Sequence, residues 1–136
     1  MSPTLEALEP LERVLGSYST GSAGPLCVVV GGLHGNEPAG VLAARRVLHK
    51  LDLRRPEMRG RLVALAGNME ALRSEQRFVE SDLNRLWTQE GIAELRSGRA
   101  ELGEHREQLA LLAVIERELV ARDVRHGLAG VGEAPL

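Results

Sequence analysis

Several residue types are scarce in this 136-residue sequence, and each scarcity excludes a class of protein. A single cysteine, Cys27, excludes an internal disulfide and any zinc site built from several cysteines, and it fits a reducing compartment. Only 2% of the residues are aromatic, so aliphatic side chains must fill the core. No apolar run approaches the roughly 18 residues that cross a bilayer, and residues 1–12 lack the apolar stretch of a signal peptide. We therefore expect a cytoplasmic protein without a membrane partner.

An excess of charge of either sign is also lacking. The formal net charge is −2, with acidic and basic residues interspersed, so no basic face predicts binding to nucleic acid or to an anionic membrane. The hydrophobic content of 43% and the charged content of 26% are typical of a folded globular protein. The length suits one domain and is too short for two, so we expect a single domain over residues 1–136 that acts on a small molecule.

Two apolar runs predict strands of a sheet. Leu26–Val30 is continuous, rich in β-branched residues and preceded by turn residues, which is typical of a strand covered on both faces, with Cys27 as a small core side chain. Arg61–Ala66 resembles a second buried strand. A strand, a helix and a strand in succession imply a right-handed crossover with parallel pairing. Leu11–Tyr18 is interpreted as an edge strand.

Helical periodicity lies between and after these strands. Apolar residues recur at helical spacing after the first strand, at Val41, Ala44, Leu48 and Leu51. Pro38 suits the first position of that helix, with Asn36 or Glu37 as its cap, and Pro56 ends it. A loop-rich stretch follows the second strand, and then a long helix has the predicted buried stripe Leu111, Leu112, Ile115 and Leu119. The pattern predicts an α/β fold.

The junction of the first strand and its helix combines an imidazole and a carboxylate three residues apart. The segment reads Gly31-Gly-Leu-His-Gly-Asn-Glu-Pro-Ala-Gly40, and it supplies His34 and Glu37 at the carboxyl end of a strand, where α/β sheets bind ligands. Zinc accepts nitrogen and carboxylate ligands, so the pair predicts part of a metal site. The alternative is structural: His34 hydrogen-bonds within a turn and Glu37 interacts with the helix dipole.

A second group of polar residues follows the second strand. Arg77, Asn84 and Arg85 are predicted at the same edge of the sheet. Because a guanidinium binds carboxylate through two parallel hydrogen bonds and stabilises developing negative charge, the group predicts an anionic substrate with a scissile carbonyl. The alternative is that the arginines are solvated loop charges. Asp82 is interpreted as fixing its loop by accepting backbone N–H groups, with no catalytic role.

Three elements together resemble the succinylglutamate desuccinylase and aspartoacylase family, relatives of the zinc carboxypeptidases. They are the segment Gly31–Gly40, then Gly67-Asn-Met-Glu-Ala71, then Arg77-Phe-Val-Glu-Ser-Asp-Leu-Asn-Arg85. The resemblance implies the N-terminal part of a zinc-carboxypeptidase-like three-layer α/β fold with a mostly parallel or mixed central sheet. It also implies cleavage of the amide bond of an N-acyl amino acid.

The resemblance assigns a role to five residues. His34 and Glu37 would hold one zinc ion. Arg77 would polarise the scissile carbonyl and stabilise its oxyanion, while Asn84 and Arg85 would bind the carboxylate end of the substrate. His34 and Glu37 are thus the expected metal ligands, Arg77 is the expected catalytic residue, and the substrate is a small N-acyl amino acid.

The sequence also departs from the family. The third zinc ligand of the family is a His in an Asp-Leu-His element, followed by a general-base Glu, and neither has a counterpart here. His126 is the remaining candidate ligand, but its Gly-rich surroundings favour a tail residue. We interpret residues 123–136 as a flexible tail left by truncation or a changed reading frame near Arg122.

Two functional classes follow from this departure. The first is a zinc-dependent hydrolase whose isolated chain has little or no activity. The second is a non-catalytic α/β fragment or binding module. In either case, an exposed strand edge where the family continues its sheet predicts self-association.

Overall fold

The computed structural model describes residues 1–125 of the chain. It contains five α-helices, three strands and one 3₁₀ helix within that range. In chain order they are α1 (Pro3–Leu8), β1 (Val14–Ser19), β2 (Ser22–Gly31), α2 (Ala39–Arg54), β3 (Arg59–Ala66), α3 (Met69–Ser74), the 3₁₀ helix (Leu83–Leu86), α4 (Gln89–Arg96) and α5 (Gly103–Arg125).

The three strands form a mixed sheet in the order β1-β3-β2. β2 pairs with β3 in parallel, with Val28 opposite Val63, and β1 pairs with β3 antiparallel. The structure thus confirms the predicted parallel pairing and the edge strand near the N-terminus. Both predicted buried strands are present, and each is longer than the apolar run that indicated it.

Helices pack on both faces of the sheet. Alternate residues of β3 point to opposite faces, so its side chains contact a helix on each. Ala64 packs with Tyr18 and Leu48 on the face that α2 covers. Val63 and Leu65 pack on the other face in a cluster that includes Leu111 of α5. The α/β class is therefore confirmed for the described part of the chain, while the likeness to zinc carboxypeptidases stays a prediction.

The prediction that β2 is covered on both faces is wrong. Leu26, Val28 and Val30 are half-buried, whereas Cys27 and Val29 are exposed. The exposed residues share the face of the sheet on which α2 packs, but the buried cluster on that face joins α2 to residues of β1 and β3. Cys27 is consequently a surface residue and not a core side chain.

The helix boundaries differ in detail from the sequence expectation. Pro38 is the N-cap of α2, and no side chain caps that end, so the predicted capping by Asn36 or Glu37 is wrong. The helix ends two residues before Pro56, with Arg55 in the left-handed conformation. The predicted stop is therefore confirmed.

The buried stripe of α5 is more polar than predicted. Its fully or largely buried members are Glu104, Gln108, Leu111 and Val114. Leu112, Ile115 and Leu119, which the periodicity placed in the stripe, are only half-buried. The stripe is rotated because Glu104 accepts from the loop beneath the helix and Gln108 donates to Leu86 of the 3₁₀ helix, so neither side chain faces water.

The end of α5 overlaps the predicted tail. The helix continues through Arg125, so residues 123–125 are helical. The remainder of the predicted tail, including His126, lies outside the described residues. Across residues 1–125, no helix combines the length and the apolar character that a membrane crossing requires.

Candidate metal and substrate site

Closely packed backbone brings the first two sequence elements together at the carboxyl ends of β2 and β3. The N–H of Gly67 donates to the carbonyl of Gly31 at 2.8 Å, and the N–H of Asn68 donates to Gly32 at 2.9 Å. Gly31 also meets the first turn of α2, where a Cβ would lie 2.6 Å from the carbonyl carbon of Gly40. The glycines therefore allow the strand ends, the loop with the imidazole and the helix start to share one small volume.

His34 is held between two carboxylates in this volume. Its Nε2 lies 3.0 Å from Oδ1 of Asp82, and its Nδ1 lies 3.5 Å from Oε2 of Glu37. The imidazole is largely buried, while the Glu37 side chain is 64% exposed. The structure thus brings together the two residues that the sequence singled out as metal ligands.

Asp82 is a residue whose part in the site the sequence analysis missed. It caps the 3₁₀ helix by accepting the N–H of Asn84 at 3.0 Å, which confirms the predicted loop role. It also orients His34, because a carboxylate on one ring nitrogen fixes which nitrogen remains available to a ligand. The signal was its position in the Asp-Leu-Asn-Arg element, but 48 residues separate it from His34.

Electrostatics keep Asp82 ionised. Burial by itself would raise the pKa of this carboxyl, but the hydrogen bonds from His34 and from the Asn84 N–H, together with the charge of Arg77, hold it below its ordinary value. The group beside the imidazole is therefore an anion at neutral pH, which is the form that accepts a hydrogen bond from Nε2.

The two predicted arginines lie around the same carboxylates. Arg77 places NH1 3.9 Å from Oε1 of Glu37 and NH2 3.7 Å from Oδ2 of Asp82. Arg85 places Nε 3.9 Å from the same Asp82 oxygen. The side chains of Arg77 and Arg85 are 51% and 84% exposed, so both guanidiniums are open to a ligand from solvent.

An open cleft of about 390 Å³ lies over the imidazole. His34, Glu37 and Asn84 line it, together with the glycines at the end of β2. The cleft therefore places Asn84 beside the pair His34 and Glu37. All five residues predicted for the site lie at one end of the sheet.

The loop that carries these arginines is fixed at three points. The N–H of Gly35 donates to the carbonyl of Arg77 at 3.1 Å. Leu83 is fully buried against β3 and α5. Glu104 of α5 accepts hydrogen bonds from the backbone of Val79, Glu80 and Ser81, a role that the sequence analysis did not identify. The available signal was a carboxylate on the apolar stripe of α5, four residues before Gln108.

The arrangement combines an imidazole, two carboxylates and two guanidiniums. Such a set provides ligands for a cation on one side and positive charge for a carboxylate on the other. Among residues 1–125, no three His, Cys, Asp or Glu side chains are placed to hold a metal together. Within this range, His34 and Glu37 are therefore not part of a group of three such side chains.

The sequence model of the succinylglutamate desuccinylase/aspartoacylase catalytic domain matches residues 23–126, which is most of the chain. The chain belongs to this family. The match covers the whole described site, from the β2 strand that leads to His34 through the α5 helix that supports the arginine loop.

Individual family members of known name agree with this assignment. The succinylglutamate desuccinylase of Pseudomonas putida (strain GB-1) is 43% identical over 67 residues, which are 49% of this chain and 19% of that protein. The succinylglutamate desuccinylase of Pseudomonas fluorescens (strain Pf0-1) is 45% identical over 56 residues, which are 41% of this chain and 17% of that protein. The chain thus spans about a fifth of the length of the desuccinylases it matches. No solved structure matches it significantly.

Proposed function

We propose that this chain carries the metal-binding and substrate-carboxylate-binding part of a zinc-dependent hydrolase that cleaves the amide bond of an N-acyl amino acid. The observation that supports it most is the pairing of His34 Nδ1 with Glu37 Oε2 at 3.5 Å, with the opposite ring nitrogen already occupied by Asp82. The proposed cofactor is one zinc ion, and the proposed location is the cytoplasm.

The donor set fits zinc. Two ligands of a tetrahedral zinc ion, each about 2.1 Å from the metal, are separated by about 3.4 Å. The observed distance between His34 Nδ1 and Glu37 Oε2 matches that separation without rearrangement. Asp82 supports the pair because it holds the imidazole with Nδ1 facing Glu37.

When bound, zinc would supply Lewis-acid activation of water and of the scissile carbonyl. The chain's own residues would bind and orient the substrate. In this proposal Asn84 and Arg85 hold the substrate carboxylate at the mouth of the cleft, which positions the amide bond near Arg77. The Arg77 guanidinium then stabilises negative charge that develops on the carbonyl oxygen.

The long distances from Arg77 and Arg85 to Asp82 support a substrate that carries a carboxylate. Arg77 and Arg85 both approach Asp82 only at 3.7 to 3.9 Å, beyond the length of a close hydrogen bond. A substrate carboxylate can therefore take closer, bidentate hydrogen bonds from these exposed guanidiniums than Asp82 does. N-succinylglutamate and N-acetylaspartate are suitable probes, since both carry carboxylates beside an amide.

The decisive experiment measures bound zinc and hydrolysis together. Purified protein is analysed for metal and assayed with N-succinylglutamate, alongside His34→Ala and the control His49→Ala, an exposed position of α2. We expect zinc binding that disappears in His34→Ala and persists in His49→Ala. Zinc binding that is equal in all three proteins would contradict the proposed ligand.

A second candidate is a non-catalytic α/β binding module. It is favoured by the lack of a three-residue metal group among residues 1–125. The two candidates differ in metal binding: the hydrolase part predicts stoichiometric zinc that His34→Ala abolishes, whereas the binding module predicts substoichiometric metal. For the isolated chain both predict little or no hydrolysis. Turnover at enzyme-like rates that a chelator abolishes would reject the binding module.

A further inference from the structure

A carboxylate outside the cleft is the most highly bonded side chain in the described structure. Glu104, in the first turn of α5, is fully buried. Its Oε2 accepts from Nδ2 of Asn68 at 2.8 Å and from the N–H of Val79 at 2.9 Å. Its Oε1 accepts from the N–H groups of Glu80 at 2.9 Å and Ser81 at 3.0 Å.

These four donors belong to both segments that build the site. Val79, Glu80 and Ser81 lie between Arg77 and Asp82, so they fix the start of the arginine loop. Asn68 lies two residues after the end of β3, and its own N–H donates to the carbonyl of Gly32 beside the His34 loop. Glu104 therefore binds the segment with Arg77 and Asp82 directly, and it is linked to the segment with the imidazole through Asn68.

The loop also holds the helix. Oε1 of Glu80 accepts the N–H of Gly103 at 2.8 Å, one residue before Glu104. The first turn of α5 and residues 79–81 thus bind one another in both directions. This reciprocal contact restricts the loop more than a single hydrogen bond does, because the loop cannot slide along the helix without breaking both sets.

Burial by itself would raise the pKa of the Glu104 carboxyl. The hydrogen bonds from Val79, Asn68, Glu80 and Ser81 outweigh this effect, so the pKa lies below its ordinary value and the group stays ionised. One anion thus satisfies three partly buried backbone N–H groups and the buried amide of Asn68 at once. If the side chain were removed, these donors would lose their shared acceptor.

We propose that Glu104 is the positioning residue of this site: it sets the location of Arg77 and Asp82 relative to His34 without contacting the cleft. The proposal rests on the proposed function for its ligand readout. Its structural readout, the protection of the amides of residues 79–81, is independent of that function.

The first measurement needs no variant. Amide hydrogen exchange of the full chain is followed by NMR at Val79, Glu80 and Ser81, with Val63 and Leu65 of β3 as the core reference. We expect the three loop amides to be protected to within about tenfold of the β3 amides, since they are bonded to a buried acceptor. Exchange at surface rates beside a protected β3 would overturn the proposal.

The second measurement compares Glu104→Gln with Glu116→Gln. Glu116 is a matched control because it lies on the same helix, is half exposed and pairs with the exposed Arg96. In Glu104→Gln we expect faster exchange at residues 79–81 than at β3 and a zinc dissociation constant raised about 10- to 100-fold, since Asp82 no longer holds His34 firmly. In Glu116→Gln both should match the parent protein.

A merely structural role predicts a different result. If Glu104 only stabilised the fold, Glu104→Gln would accelerate amide exchange equally in β3 and in residues 79–81. The zinc dissociation constant of the folded fraction would then be unchanged. That combination would overturn the proposal. If the parent chain binds no zinc, the proposed function fails, while selective loss of protection at residues 79–81 still supports the positioning role of Glu104.

Discussion

Asp82 Oδ1 lies 3.0 Å from Nε2 of His34, although 48 residues separate them in the sequence. The contact joins the loop after β2 to the loop after α3, and it leaves Nδ1 of the imidazole facing Glu37. The geometry of the pair His34 and Glu37 therefore depends on Asp82, a residue from a different sequence element.

Replacing Asp82 tests that dependence. In Asp82→Asn the side chain keeps its size but loses its charge, so it holds the imidazole less firmly. We expect the zinc dissociation constant to rise about 10- to 100-fold, measured by competition with a chromophoric chelator. Asp52→Asn, at an exposed position of α2 where the carboxylate pairs with Arg55, serves as the control and should leave the constant unchanged. An unchanged constant in Asp82→Asn would show that the carboxylate does not act on the ligand.

Close packing of the motif glycines gives a stability prediction. A Cβ at Gly35 would lie 2.1 to 2.3 Å from backbone atoms of Ala71 and Gln76, which cannot move aside as a side chain can. We expect Gly35→Ala to reduce the free energy of unfolding by about 3 kcal/mol or more, measured by urea denaturation.

Gly40 provides the contrast within the same segment. A Cβ there would lie 3.2 Å from the Cα of Gly31, and alanine favours the helix that contains it. We expect Gly40→Ala to change stability by no more than about 1 kcal/mol. Equal losses in both variants would mean that the close approach of Gly35 to α3 is not present in solution.

The loss of folding stability at low pH depends in part on Glu104. Because the pKa of this carboxyl is below its ordinary value of 4.5 in the folded state, its contribution is fully present above that value and is lost as the pH falls through the folded pKa. We expect the free energy of unfolding to decrease as the pH falls below the ordinary value of 4.5, measured by urea titrations at each pH.

Glu104→Gln should reduce the slope of that acid limb, since glutamine does not titrate. Asp82, whose pKa is also lowered, would retain its share of the slope in this variant. Parallel curves for the parent and Glu104→Gln would contradict the assignment to Glu104.

The free edge of β2 yields a prediction about association. In the part of the chain that the structure describes, β2 pairs only with β3, and Val29 next to that edge is 41% exposed. We expect self-association that increases with concentration, measured by sedimentation velocity, because an unpaired, β-branched edge can accept another strand.

A charged residue at the edge should weaken that association. Val29→Lys places a lysine beside the unpaired strand, whereas Val47→Lys places one on α2 at a similarly exposed position. We expect only Val29→Lys to shift the chain toward monomer. A concentration-independent monomer in the parent protein would contradict self-association through this edge.

Local patterns predicted most of the elements that support the site. The apolar runs indicated β2 and β3 because β-branched residues between turn signals are typical of strands, and the periodicity indicated α2 and α5. The same patterns were misleading about burial at Cys27 and Leu119. Burial depends on which neighbouring element covers a face, and a pattern along one segment does not contain that information.

The candidate site shows the same division. His34 and Glu37 are three residues apart, so a single turn brings them together and the sequence indicated the pair. Asp82 and Glu104 act on distant segments through hydrogen bonds, and only folding makes those segments neighbours. Glu104 was therefore missed, and Asp82 was predicted only in its local capping role.

The sequence by itself determined the family, through the resemblance of its three motif elements. It also determined the α/β class and the residues that reach the carboxyl ends of the strands, because these follow from short-range spacing and composition. The tertiary structure alone decided which nitrogen of His34 faces Glu37, how Arg77 and Arg85 surround Asp82, and which buried carboxylate ties the loops together. The reason is physical: hydrogen-bond partners of buried groups are selected by three-dimensional packing, in which separation along the chain plays no part.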